Sequence, residues 1–156
     1  MIETIPLPAT DDPLDRPFWS NALEGRLVIQ ACAVCGEMRF PPRPMCPHCQ
    51  SEDSIWNEVA PEGAVWSFAC PARPLLPAFE AMAPYVTIIG ALGAHPAIRI
   101  AGMAAAGDAG SVTGLTADDV RIGQPVRLLF RQVSADCALP FWHLGPPPTR
   151  KPETHQ

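Results

Sequence analysis

The residues best suited to chemistry are four cysteines in two Cys-x-x-Cys pairs, Cys32 with Cys35 and Cys46 with Cys49, joined by a loop rich in proline and arginine. Two thiolates at that spacing grip one side of a tetrahedral ion, and a second pair brought back by a hairpin closes the other side. Four thiolates leave no position for water or substrate, so the chemistry they predict is structural rather than catalytic. A disulfide reading needs an oxidising compartment, yet residues 1–10 lack the basic start and apolar stretch of an export signal. A thioredoxin-type redox reading needs one pair opening a helix, and these pairs sit in a proline-rich, helix-poor segment. The expectation is one structural Zn2+ per chain, held by Cys32, Cys35, Cys46 and Cys49 in a reducing cytoplasm.

Iron is the rival metal, because a four-cysteine ribbon resembles rubredoxin. A one-electron carrier needs only the ribbon, whereas most of this chain lies beyond it. His48 falls inside the second knuckle but is expected to face solvent or sit beside the ligands, since four cysteines already fill the site. Cys70 and Cys137 stand alone among apolar or small residues and read as small core hydrophobes. His95, His143 and His155 stand in no motif that would pair them with either thiol as a base, so no catalytic residue is assigned.

The elements that must position the cysteines are short. The chain has 156 residues, room for one modest domain or two very small ones, and 20 of them are proline, which favours strands and rigid loops over long helices. A ribbon alone is too small to keep a core, and a structural zinc worth roughly 10–16 kcal/mol can replace it. The formal charge of −5 becomes about −7 once four thiolates hold a dication. With only 11 Lys and Arg the chain is poorly suited to a phosphate backbone, so nucleic acid is not an expected partner. Its apolar runs, such as residues 85–92, fall far short of the ~20 residues that span a bilayer, so no membrane association is expected either.

Residues 1–14 read as an extended, loosely ordered arm. Residues 15–60 hold a helix and the ribbon: Asp15 is placed to cap a helix with Pro17 in its first turn, and Phe18, Trp19, Ala22 and Leu23 share a side before Gly25 stops it. Residues 26–31, 38–40 and 55–59 are predicted strands. Phe18 and Trp19 either cover the ribbon and the following barrel or face a partner. Residues 61–145 read as an all-β unit with strands at 63–69, 85–92, 97–103, 124–133 and 141–144, and a one-turn helix at 116–119 with a stop at Gly123. Five short strands with a small helix between the third and fourth predict an OB-fold, a partly open barrel, and the alternative that this fold brings, a single-strand nucleic-acid-binding protein, is opposed by the charge count. The proline-rich excursion at 71–84 carries Leu75, Leu76 and Phe79, which either fold back over the barrel or meet a partner. The Ala-Gly stretch at 104–110 is read as a flexible loop, and residues 146–156 as a proline-rich tail.

The ordered set of Phe18-Trp19, Glu24-Gly25-Arg26-Leu27, Cys32-x-x-Cys35-Gly36, Phe40-Pro41-Pro42-Arg43, Cys46-Pro47-x-Cys49, Trp56, Pro84-Tyr85-Val86, Val120-Arg121-Ile122-Gly123-x-Pro125-Val126 and Leu139-Pro140-x-Trp142 resembles the acyl-CoA-associated zinc-ribbon plus OB-fold proteins of bacteria and archaea. The resemblance implies a mainly β fold: an N-terminal helix, a rubredoxin-like four-cysteine ribbon, then a five-stranded OB-fold barrel. It also implies an accessory subunit, not catalytic by itself, that docks on a thiolase-like enzyme and helps shape its acyl-CoA channel, with acyl-CoA at the shared interface. Aldolases of steroid side-chain breakdown, acyltransferases and MaoC-like hotdog hydratases are the partners this family suggests. Arg39, Arg43, Arg73 and Arg99 are then candidate contacts for CoA phosphates. Two features depart from the family pattern: a neutral second hairpin turn at residues 91–96, and an apparent insertion after Met103.

Overall fold

A computed structural model describes residues 5–73, 75–107 and 110–145. The helix α1 spans Arg16–Leu23, with Phe18 and Ala22 buried one turn apart on the face it turns inward. Asp15 does not cap it through its side chain, because its backbone is already near-helical and a cap needs extended geometry. Instead its carbonyl accepts the N–H groups of Phe18 and Trp19, and its Oδ2 accepts from Trp19 Nε1 at 3.3 Å. Gly25 ends the helix at φ +73°, a left-handed turn that frees Arg26 to bond back to the Asn21 carbonyl.

Three antiparallel strands form the ribbon sheet in the order β2-β1-β3: β1 Val28–Cys32, β2 Met38–Arg39 and β3 Ser54–Glu58. The central strand β1 is buried throughout, while β3 is largely exposed. Five more strands close into a barrel: β4 Glu62–Ala69, β5 Thr87–Leu92, β6 Arg99–Ala106, β7 Pro125–Gln132 and β8 Ala138–Leu144. The ring order is β4-β5-β6-β8-β7, with β7 returning to β4 through Glu62↔Arg127 to Ala64↔Pro125, so the barrel is closed rather than partly open. A 3-10 turn at Ala117–Asp119 lies between β6 and β7, capped reciprocally by Thr116 and Asp119.

Trp142 fills the barrel. Its indole is fully buried and its Nε1 donates to the Ile100 carbonyl at 2.9 Å. The ring lies so close over β5 that a Cβ at Gly90 would come within 2.3 Å of it, and one at Gly102 within 3.2 Å. The bulky residue of β8 is thus accommodated by residues without side chains on the adjacent β6 and on β5 beyond it.

Four further expectations are corrected. Residues 104–106 are not a flexible loop: they extend β6 and pair in parallel with β8, Ala104↔Trp142 to Ala106↔Leu144, where only small side chains are needed because Phe141 and Trp142 supply the bulk. The last strand begins at Ala138, earlier than expected, because β7 pairs with it along its whole length. The arm is anchored by its own chain, since Ile5 is buried with Met82, Tyr85, Ala105, Val112 and Phe141. Cys70 is exposed rather than a core residue, lying just past the end of β4. The tail at 146–156, His155 with it, lies outside the described residues.

Candidate metal centre

The ribbon hairpin brings the four thiols together: every Sγ of Cys32, Cys35, Cys46 and Cys49 lies within 4.8 Å of the others. Cys32 to Cys49 is 3.5 Å and Cys35 to Cys46 is 3.6 Å. A tetrahedron with metal–sulfur bonds near 2.3 Å has sulfur–sulfur edges of about 3.8 Å, so the set is dimensioned for one tetrahedral ion. Cys32 and Cys46 are buried while Cys35 and Cys49 reach the surface, and His48 is exposed outside the sulfur cluster.

The two knuckles treat their first thiols alike. The backbone N–H of Cys35, helped by that of Val34 and opposed by partial loss of solvent, holds the Cys32 thiol down to about 6. The N–H groups of Cys49 and His48 lower Cys46 in the same way. At Cys35 the Glu37 N–H pulls downward, but lost solvent and the sulfurs of Cys49, Cys32 and Cys46 outweigh it and push the thiol up to about 12. This is the electrostatics of sulfurs that repel one another as anions, and a bound dication removes that repulsion.

A polar brace stands behind the cluster. Gln30 pairs with Arg39 across β1 and β2, and its Oε1 accepts from Arg39 Nε at 2.7 Å and from the Arg43 N–H at 2.8 Å. Its Nε2 reaches Ser54 Oγ on β3 at 3.4 Å. Gln30 was not singled out from the sequence, although the period of two along β1 already sets it on the face of Cys32.

Arg39 is buried in this brace, which removes it from the candidates for CoA phosphate. Arg43 and Arg73 are exposed, and Arg99 lies 3.9 Å over the ring of Trp66, itself half-exposed. Arg99 pairs at Ala91, whereas Arg73 follows Ala69, which pairs at Thr87, about 13 Å away along β5. Of the partner candidates, Phe18 is spent inside the chain, its ring 5.2 Å from Phe40 of the ribbon and 5.8 Å from Phe130 of the barrel. Trp19 packs beside it, edge-on at 5.0 Å. Leu75 and Phe79 fold back onto the barrel, Phe79 stacking on Tyr85 around the short helix α2, Pro77–Glu80. Leu76 alone of the excursion's large apolar side chains points outward, 62% exposed. Cys137 is buried, and burial raises its thiol.

With this geometry in view, comparison with known proteins is specific. Residues 19–54 match the ChsH2 rubredoxin-like zinc ribbon domain, and residues 56–131 match the ChsH2 C-terminal OB-fold domain. The chain is 31% identical to a chain of the solved Ltp2-ChsH2(DUF35) aldolase, with a TM-score of 0.73 over 88% of this chain and 98% of that one. It also resembles a DUF35 protein of unknown function from Sulfolobus solfataricus, at 14% identity and a TM-score of 0.56 over 86% of this chain and 87% of the other, a likeness of fold alone. A probable enoyl-CoA hydratase alpha subunit of Thermomonospora curvata is 34% identical over 134 residues, 85% of this chain. This chain spans 38% of the length of that relative.

Proposed function

The chain belongs to the ChsH2 family of zinc-ribbon and OB-fold proteins, and from that premise we propose that it is an accessory subunit of an acyl-CoA enzyme rather than an enzyme by itself. Its partner in this reading is a thiolase-like subunit, such as an aldolase, and acyl-CoA passes near the interface they share. The observation that carries the reading is the match to nearly the whole of one chain in the Ltp2-ChsH2(DUF35) aldolase. The metal is zinc, held by Cys32, Cys35, Cys46 and Cys49. The described residues include no helix long and apolar enough to cross a membrane, in keeping with a cytoplasmic complex. Of the contacts expected from the sequence, Trp19 and Leu76 remain for the partner, and Arg43, Arg73 and Arg99 for CoA phosphates.

A second reading keeps the accessory role and changes the partner to a hotdog-fold enoyl-CoA hydratase, favoured by the hydratase alpha subunit relative. Affinity purification of the tagged chain from its native cell separates the two. A stable complex with a thiolase-like subunit, active only when both are present, is the expected result. Recovery of a hydratase subunit instead selects the second reading, and recovery of neither, or acyl-CoA turnover by the chain alone, overturns both. Metal analysis of the same sample should give one zinc per chain in a colourless protein; a red protein with one iron would return the rubredoxin-like carrier.

A further inference from the structure

Arg39 is 5% exposed, a degree of burial seldom tolerated by a charged side chain without an ion-pair partner. Its Nε and Nη2 bond only to neutral oxygens, the Gln30 side chain at 2.7 Å and the Arg43 carbonyl at 3.3 Å. Its Nη1 is buried with no partner among the described residues. The ion pairs of the described residues belong to Arg26 and Arg127, and none brings a carboxylate to Arg39. A full positive charge thus lies in the ribbon with no opposing carboxylate, an arrangement that is strongly unfavourable unless something nearby supplies negative charge.

The placement names the source. Arg39 faces Gln30, two residues before Cys32 on β1, and grips the carbonyl of Arg43, three residues before Cys46. It therefore ties together the two arms of chain that carry the knuckles. Four thiolates around one dication bear a net charge of −2, and their sulfurs gather at the end of this same hairpin. We propose that Arg39 is the counter-charge of the four-thiolate centre, so that metal retention and burial of this guanidinium depend on each other. This inference rests on the site holding a metal, and it is independent of which enzyme the chain docks on.

The test uses the full chain loaded with zinc and titrated with a competing chelator, comparing wild type with Arg39→Lys and Arg39→Gln. Lysine keeps the charge and loses the fork of hydrogen bonds; glutamine loses the charge. Arg39→Gln should weaken zinc binding by about 10- to 100-fold, the usual cost of removing an outer-shell group, while Arg39→Lys keeps most of the affinity. In cobalt-loaded protein the thiolate-to-metal charge-transfer band should move to lower energy in Arg39→Gln and stay in place in Arg39→Lys. A mere hydrogen-bonding brace would make the two variants equally weak and leave the band unmoved, and that result overturns the proposal. Should Arg39→Gln fail to fold, the Gln30→Leu/Arg39→Met pair removes the charge together with the acceptor of its Nε, leaving the Arg43 backbone groups and Ser54 Oγ, both on exposed residues, to bond to solvent. Wild-type affinity in that double variant overturns the proposal as well. A wild-type chain that holds no metal overturns the metal reading beneath it, a separate and recognisable outcome.

Discussion

The ribbon and the barrel are both made of short antiparallel strands, yet different forces hold them. The ribbon has one buried strand, one two-residue strand and one largely exposed strand, and its cross-links are four converging thiols and the Gln30–Arg39 brace. The barrel has no open edge in its ring and is organised about a water-free indole lying over glycine. One region needs an ion to offset the mutual repulsion of four crowded thiolates; the other needs only that its side chains interlock. They meet around Phe18, which touches an aromatic ring on each side, within a buried cluster that also takes in Leu27 and Ile29 of the ribbon.

Removing the metal should break the comparison most severely. A zinc ribbon loses roughly 10–16 kcal/mol of binding free energy with its ion, as much as a small domain's whole stability. Chelation, or Cys32→Ser, is expected to abolish amide-exchange protection in β1 and β2 and the capture of a partner, while protection in β5 and β8 persists. Loss of protection in all strands at once would show that the two regions are one cooperative unit. Trp142→Ala is the converse experiment: it should cost about 3–5 kcal/mol in denaturant unfolding while the zinc content stays unchanged. A variant that sheds zinc as readily as it loses stability would contradict the division. Phe18→Ala sharpens it further, costing about 3 kcal/mol and separating one unfolding transition into two, with the ribbon melting first. A single, merely shifted transition would mean that other contacts carry the coupling.

Much of this was legible from residue types. The cysteine spacing marked the metal cluster because metal geometry restricts sequence directly, and the alternation of Val126, Leu128 and Phe130 marked a strand because burial on one face imposes a period of two. The parts that escaped depend on distant partners. Residues 104–106 carry no side-chain signal of their own, and their strand conformation is imposed by β8, far along the chain. Ile5 reads as part of a polar, proline-rich arm until the excursion and β8 assemble the surface it fills. Arg39 looks like any solvated arginine of a short strand, since its burial follows from a cross-strand register with Gln30. At Asp15 the residue type was right for a cap and the backbone angles were not.

The enclosed indole of Trp142 has an optical consequence. Shielded from solvent dipoles and hydrogen-bonded to a fixed carbonyl, it emits to the blue, whereas Trp66, half-exposed beneath Arg99, emits to the red. The blue edge of the fluorescence spectrum therefore reports on the integrity of the barrel interior, while the red edge, which Trp66 shares with the partly exposed Trp19 and Trp56, reports on the surface.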